Sequence, residues 1–407
     1  MTLTVTQSEQ AVAYPDPFTS IIRQVMRIDE VQWGEEKQNF LVRYRGQLLA
    51  DSSEAYDRLS ASLKPLEVTP LFRNEKGQHA VILTKGVVRT RPSNPWINLI
   101  LFGFTLLSVL FAGALYSYEG PLTTNLAALM PYLMPALRNG VYFAASLLAI
   151  LVAHEFGHYL AARYHNTAVT LPYFIPFPIS PFGTMGAFIQ LKEPPKNKRI
   201  LLDIGIAGPL AGFVIAVPVL LLGLYLSNLD RLPSIVQPGQ MMEGNSILYL
   251  LAKYVVFGKM LPAPINYHGL QPVVYWVRYF FTGLPTPFGG TDVQMHPVAW
   301  AGWAGLLVTA LNLIPAGQLD GGHVLYVLFG EKARLLLPFI LIGLIALGVV
   351  WSGWWLWAFL IFILGRVYAQ PLDQITPLDS NRRAIAILGL IIFLLVFTPV
   401  PLRFFGV

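Results

Sequence analysis

The chain has 407 residues, of which 55% are hydrophobic and only 12% are charged, and its mean hydropathy is +0.55. This balance excludes an ordinary soluble domain and is typical of a polytopic membrane protein. The net charge is +6, but the basic residues lie mostly beside the apolar stretches, so we expect contact with membrane lipid and no nucleic-acid partner.

The first 94 residues are mostly polar and precede any long apolar run. Residues 1–17 contain turn formers without periodicity, which predicts a flexible tail. Residues 18–92 predict a small soluble α/β domain of the β-α-β-β kind, with a helix over 52–63 whose N-cap is Ser52 or Ser53. The predicted strands lie at 39–49, 68–73 and 79–84. The domain shows no catalytic cluster, so we expect a regulatory or docking role.

About seven transmembrane helices are predicted after this domain, since a span needs about 20 apolar residues. Residues 334–366 are too long for one span, and Ser352-Gly353 offers a break that predicts a hairpin of two short helices. The other candidate spans are 96–118, 140–162, 201–227, 298–314 and 384–400. Residues 95–405 would together form one transmembrane domain.

The basic residues also predict the orientation of the chain. With the N-terminus in the cytoplasm, 22 of the 28 Lys and Arg residues fall on the cytoplasmic side. Such an excess is typical of cytoplasmic loops. We therefore expect a cytoplasmic N-terminus.

Two connections between spans are long. The segment 171–193 is apolar but interrupted by proline and glycine, and residues 185–192 suit a strand, so a re-entrant loop or β-hairpin is predicted. The segment 228–297, on the opposite side, holds short apolar pieces that suit the membrane interface. No chemistry is assigned to it.

The second span contains His154-Glu155-Phe156-Gly157-His158, an HExxH motif. Two His at positions i and i+4 lie on one helix face and can bind one zinc ion, with the Glu beside them as general base. Because the chain has no cysteine, its metal ligands must be His, Asp or Glu. Ionisable groups within an apolar span are unfavourable, so a functional role outweighs chance.

A catalytic zinc of this type needs a third protein ligand. Asp320 is the best candidate, because it follows the fourth apolar run and lies at the same predicted depth as the two His. His165 and His323 are rival candidates, but both are near helix ends and polar neighbours and suit the interface better. The glycines at 205, 208 and 212 indicate close helix packing more than a binding loop.

These motifs together resemble the site-2 protease family of intramembrane zinc metalloproteases. The resemblance rests on HEFGH, on Asn312-x-x-Pro315-x-x-x-Leu319-Asp320-Gly321, and on Gly208-Pro209-x-Ala211-Gly212 between them. It covers roughly residues 95–370 and is strongest with the cyanobacterial and chloroplast branch. It implies His154, His158 and Asp320 as ligands of one Zn2+ per chain, and Glu155 as the catalytic residue. Many members carry a second proline where this chain has Gly317.

The expected function is hydrolysis of peptide bonds in or near the transmembrane segments of membrane proteins, within regulated intramembrane proteolysis. Asn312 is a candidate donor to the substrate. Gly186, Phe188 and Gln190 would bind it along a strand edge. The plasma membrane is the expected location, with the thylakoid as alternative, and the oligomeric state stays open.

Two other classes remain open on the residues alone. A transporter would use the intramembrane His and Asp for ion passage, and a scaffold would need no chemistry at all. A transporter would need Glu155 only for its charge, and a scaffold would not need Glu155 at all. A protease needs Glu155 as a general base.

Overall fold

The computed structural model describes residues 17–405 except 36–38, 76, 122, 124 and 236–240. The predicted tail at 1–17 thus lies outside the described residues apart from Pro17. The chain divides into two compact units. The first contains the chain up to Arg89 together with residues 196–198 and 371–377, and the second contains the remainder.

The first unit is a four-stranded antiparallel sheet with one main helix. Its strand order is β1-β2-β4-β3, and its elements are α1 (Thr19–Arg23), β1 (Met26–Trp33), β2 (Val42–Leu48), α2 (Ser52–Leu63), β3 (Val68–Glu75) and β4 (Gln78–Lys85). Neither α1 nor β1 is predicted from the sequence. In β1, Met26 is the one buried residue, so this edge strand has no apolar alternation to reveal it.

Helix α2 lies where it was predicted, but its cap differs. The Asp51 carboxylate accepts a hydrogen bond of 2.9 Å from the Ser53 amide, so Asp51 is the N-cap in place of Ser52 or Ser53. Ala55, Leu59 and Leu63 follow at intervals of four residues and bury one face of the helix.

The sheet of the first unit continues into residues 371–377. The Phe72 amide of β3 donates to the Leu372 carbonyl over 2.9 Å, and the Gln374 amide donates to the Phe72 carbonyl over 3.1 Å. This pairing extends the sheet beyond β3. The side chain of Asp373 is fully buried there and accepts hydrogen bonds from Ser52 and from Thr376.

The second unit is helical. Its helices are α3 (Pro95–Tyr116), α4 (Leu126–Tyr164), α5 (Lys198–Tyr225), α6 (Ile247–Phe257), α7 (Pro272–Thr282), α8 (Pro297–Asn312), α9 (Asp320–Phe329), α10 (Leu337–Val350), α11 (Gly353–Leu364) and α12 (Ser380–Val396). Its strands pair as β5 (Tyr173–Pro176) with β6 (Thr184–Phe188), β7 (Asn228–Arg231) with β9 (Thr291–Gln294), and β8 (Met241–Glu243) with β10 (Leu402–Phe404). The predicted hairpin in segment 171–193 is therefore present as β5 and β6.

Within the described residues, four helical stretches are long and apolar enough to cross a membrane, at Pro95–Tyr116, Ala127–Tyr164, Lys198–Tyr225 and Asp320–Val350. The protein is therefore a helical membrane protein. The count of seven spans is not established by these lengths, because α8, α11 and α12 have 17 residues or fewer. The predicted break at Ser352-Gly353 is present, since α10 ends at Val350 and α11 begins at Gly353.

Helix α4 begins 14 residues before the predicted start at 140, in spite of Pro131 and Pro135. A proline within a helix removes the hydrogen bond to the carbonyl four residues earlier. Here those carbonyls belong to Ala127 and Pro131, which are both exposed. Their carbonyls can turn outwards, so the helix continues through both prolines.

Helix α8 forms the centre of the second unit. Twelve of its 16 residues are buried. A Cβ on Gly302 would lie 2.6 Å from Leu220 Cα of α5, and one on Gly305 would lie 2.6 Å from Ile150 of α4. These glycines let α8 pack closely against both helices that flank the predicted metal site.

Candidate metal centre

Three side chains from two helices converge in the second unit. His154 and His158 lie one turn apart on α4, their ring centroids are 4.9 Å apart, and both are buried. Asp320 is the first residue of α9. The Nε2 atoms of the two His are 3.2 Å apart, and each lies 3.3 Å from Asp320 Oδ2.

This triangle fits a zinc ion. Ligand atoms about 2.0–2.1 Å from a tetrahedral zinc lie about 3.3 Å from one another. Two imidazole nitrogens and one carboxylate oxygen are also a donor set that zinc accepts. The three residues are thus suited to hold the metal and to leave a position for water.

A backbone contact fixes the orientation of His158. Its Nδ1 lies 2.7 Å from the Ile204 carbonyl of α5. A carbonyl only accepts, so Nδ1 carries the proton and Nε2 keeps its lone pair for the metal. Such contacts orient the His ligands of metal sites and raise their basicity.

Glycines of α5 make room for the two imidazoles. A Cβ on Gly208 would lie 2.1 Å from His158 Nε2, and one on Gly212 would lie 3.1 Å from His154 Cβ. Any larger residue at 208 would occupy the place of the ring. The close packing predicted for these glycines therefore shapes the metal site itself.

The loop before α9 positions Asp320. Gly317 has φ +56, which proline cannot adopt because its ring fixes φ near −65°. Cβ atoms on Gly321 and Gly322 would lie 2.0 Å and 2.3 Å from carbonyl oxygens of Leu313 and Gly317. The glycines thus allow a tight turn that places Asp320 at the positive N-terminal end of α9, where a carboxylate is favoured.

Glu155 is 4% exposed and lies between the two His on α4. Its Oε2 is buried and has no hydrogen-bond partner within the described part of the chain. A buried carboxylate oxygen of this kind normally has a partner, so a bound water or substrate group is expected there.

A cavity of about 240 Å3 lies beside these residues, and His154, Glu155, His158 and Asp320 all line it. The end of the hairpin lines another wall, with Ala187, Phe188, Ile189 and Leu191. The cavity has room for several water molecules or part of an extended peptide.

The predicted substrate-binding residues fall into two groups. Asn312, at the end of α8, lines the cavity, and its Nδ2 lies 3.3 Å from His154 Nε2. Phe188 lines it too. Gly186 and Gln190 are not among the lining residues, and Gln190 pairs through its backbone with Thr170.

The two rival histidines differ from each other. His165 Nε2 lies 2.9 Å from Asp203 Oδ2, away from the metal cluster, and Asp203 also forms a two-pronged ion pair with Arg382. His323 does line the cavity. From the sequence, His323 was a rival ligand that suited the interface better, although its spacing of three residues from Asp320 already indicated a position one helical turn away.

The fold and the site together define a helical membrane protein with a zinc metallopeptidase domain. Residues 142–341 match the model of peptidase family M50. The chain therefore carries a domain of that family, which confirms the resemblance to the site-2 proteases.

Similar proteins are known in plants. A probable zinc metalloprotease, EGY2, chloroplastic, of Oryza sativa subsp. indica is 32% identical over 270 residues, which are 66% of this chain and 44% of that protein. The probable zinc metalloprotease EGY1, chloroplastic, of Arabidopsis thaliana is 30% identical over 277 residues, 67% of this chain and 45% of that protein. The chain spans about half the length of these relatives. No solved structure matches it.

Proposed function

We propose that this protein is an intramembrane zinc endopeptidase that hydrolyses peptide bonds in or near the transmembrane segments of membrane proteins. One observation carries the proposal: His154, His158 and Asp320 converge beside Glu155, and the two His and Glu155 lie within an apolar helix. Zinc in a cavity within apolar helices is suited to substrates that are themselves in the membrane.

In the proposed mechanism His154 and His158 would hold the metal through Nε2, and Asp320 would hold it through Oδ2. When bound, zinc supplies Lewis-acid polarisation of water and of a peptide carbonyl. The Glu155 carboxylate takes the proton of the attacking water and passes it to the leaving amine. The Asn312 amide donates a hydrogen bond to the substrate carbonyl or backbone.

A substrate helix must unwind before its peptide bonds can be cut. Strand β6 lines the cavity, and its edge is proposed to bind the unwound segment by adding a strand to the hairpin. Phe188 would contact the substrate directly. Gly186 and Gln190 are proposed to keep the strand in register beside it.

The decisive variant is Glu155→Gln, which removes the base and keeps the shape of the side chain. Full-length protein and variant are co-expressed with a panel of single-span membrane proteins, and cleavage and zinc content are both measured. We expect full zinc occupancy and no cleavage. Glu119→Gln, at an exposed position, is the matched control and should cleave normally. Cleavage retained in Glu155→Gln contradicts the proposal and favours a transporter or scaffold.

The arrangement in the membrane is also a proposal. Residues 18–92 are proposed to form a soluble cytoplasmic domain, and residues 95–405 a metalloprotease domain of seven spans. The excess of Lys and Arg in the assigned cytoplasmic segments supports the orientation. Reporter fusions at the N-terminus, at Asn266 and at Ser352 would report the side of each point, and a cytoplasmic reporter at Asn266 would overturn the scheme.

The relatives' names include the word chloroplastic, which favours the thylakoid over the plasma membrane as the location. Regulated intramembrane proteolysis, in which an earlier cut prepares the substrate, is proposed as the setting. Fractionation of the source membranes tests the first point. Comparison of intact and pre-cut substrates tests the second.

A further inference from the structure

His323 lines the cavity of the metal site, although its sequence context favoured the membrane interface. It lies in the first turn of α9, one turn after Asp320, and lines the same cavity as Glu155 and Asn312. Gly205 of α5 makes room for it, because a Cβ there would lie 3.0 Å from His323 Cβ. The ring is therefore held between two helices at the wall of the site.

The two ring nitrogens of His323 differ in their surroundings. Nδ1 is buried and has no hydrogen-bond partner among the residues that the structure describes. A buried N–H without an acceptor is more unfavourable than a buried lone pair without a donor, because backbone and side-chain N–H groups are almost always paired. The neutral ring therefore carries its proton on Nε2. Because Nδ1 is buried and the residue lines the cavity, we infer that Nε2 is the ring nitrogen available to a bound group.

Asn312 supplies a second N–H donor, from its side-chain amide, on another element. It lies at the end of α8, whereas His323 lies on α9, and the loop 313–319 connects the two. Donors from two elements can bind one oxygen atom from two directions, as in the oxyanion sites of acyl-transfer enzymes.

We propose that His323 is a further catalytic residue, whose Nε2–H donates a hydrogen bond to the substrate carbonyl oxygen as negative charge develops on it during hydrolysis. The proposal rests on the proposed peptidase function. No proton leaves His323 in this role: Glu155 moves the proton, and His323 stabilises the oxygen. The interaction strengthens in the transition state, so it affects kcat more than KM.

The test compares three substitutions in the full-length, zinc-loaded protein. His323→Gln retains an N–H donor close to the position of Nε2, His323→Asn places its donor nearer the position of Nδ1, and His323→Leu has none. We measure kcat and KM on a single-span reporter that the wild type cuts, zinc content, and the affinity of a phosphinic peptide that mimics the tetrahedral intermediate. His268→Gln, at an exposed position in the opposite loop, is the control.

We expect His323→Leu and His323→Asn to lower kcat about 100-fold or more, as loss of one such donor does elsewhere. KM and zinc content should change little, and the phosphinic peptide should lose affinity by the same factor as kcat/KM. His323→Gln should recover most of the activity. Equal losses in all three variants, a loss of zinc, or unchanged kcat would each overturn the proposal. A wild type that binds zinc but cuts no reporter would instead contradict the peptidase function, before any His323 variant is compared.

Discussion

Gly208 of α5 lies directly against His158 of α4, so that a Cβ at position 208 would stand 2.1 Å from the Nε2 atom of the imidazole. The same ring is held from its other side by the Ile204 carbonyl, one turn earlier on α5. A single helix thus both orients the ligand and leaves space for it. The metal site therefore depends on the packing of α4 against α5 as much as on the HExxH motif.

Gly208→Ala is predicted to lower zinc affinity at least tenfold, because the new methyl group displaces His158 from its carbonyl partner. Zinc content after dialysis against a metal buffer measures this. Gly212→Ala should have a smaller effect, since its Cβ meets His154 Cβ at 3.1 Å. Gly103→Ala, where a Cβ meets nothing within 4 Å, is the control and should bind zinc normally. Equal affinity for Gly208→Ala and the control would contradict this view of the site.

Asp320→Asn is predicted to lower zinc affinity ten- to a hundred-fold or more, because a neutral amide replaces an anionic ligand. Competition with a chelator of known affinity gives the change. The matched control is Asp230→Asn in the exposed part of strand β7. If the Asp320→Asn variant keeps the wild-type affinity, a different residue must complete the site.

Phe188→Pro is predicted to reduce cleavage much more than zinc binding, because proline removes the N–H that a bound strand would need. Phe188→Leu is its counterpart: it keeps the N–H and loses only the ring, which stacks on Tyr173 at 5.4 Å. Gln190→Pro should act differently, because the Gln190 amide already donates to Thr170 Oγ1 and its loss disturbs this pairing itself. Cleavage rates and zinc content are measured side by side. A parallel loss of both in Phe188→Pro would indicate misfolding of the hairpin instead of a substrate-binding edge.

Glu243 is predicted to make the free energy of unfolding of the second unit depend on pH. Burial, with a further contribution from the nearby Asp292 carboxylate, raises the pKa of Glu243 to about 7, although Lys253 partly opposes this. The folded state then binds the proton more tightly than the unfolded state, whose carboxyl has a pKa of about 4.3. The contribution of Glu243 to the free energy of unfolding is therefore largest below about pH 4.3. This contribution falls as the pH rises towards 7.

Thermal unfolding of the detergent-solubilised protein between pH 4 and pH 8 measures this dependence. Glu243→Gln should reduce the loss of unfolding free energy between pH 4 and pH 8 by on the order of 3 kcal/mol at most, since one pKa unit corresponds to about 1.4 kcal/mol. Burial raises the pKa of Asp292 as well, so part of the slope should remain. An unchanged slope in the variant would show that folding does not raise the pKa of Glu243.

Asp373→Ala is predicted to destabilise the first unit by about 2–4 kcal/mol, because the Ser52 hydroxyl and the amides of Ile375 and Thr376 lose their acceptor. Limited proteolysis in the region 17–89 reports the loss. The control is Asp57→Asn, which removes an exposed ion pair with Lys196 and should change stability by less than about 1 kcal/mol. Equal protease sensitivity in the two variants would show that residues 371–377 contribute little to this unit.

The sequence alone determined the features that depend on local spacing. His154 and His158 share a helix face because they are four residues apart, and apolar runs of sufficient length predicted α3, α4 and α5. Asp320 was predicted as the third ligand because a carboxylate beside an apolar span is rare. The hairpin of β5 and β6 followed from proline and glycine in an otherwise apolar segment. All of these are properties of short stretches of chain, which periodicity and composition record directly.

Only the tertiary structure decided which distant groups meet. The packing of α4, α5 and α9 places the Ile204 carbonyl beside His158 and leaves space for the ring at Gly208. The same packing brings His323 into the cavity wall. The edge strand β1 and the pairing of residues 371–377 with β3 could not be predicted either, because neither segment has an alternation of apolar and polar residues. Such contacts join residues tens to hundreds of positions apart, and no local pattern in the sequence encodes them.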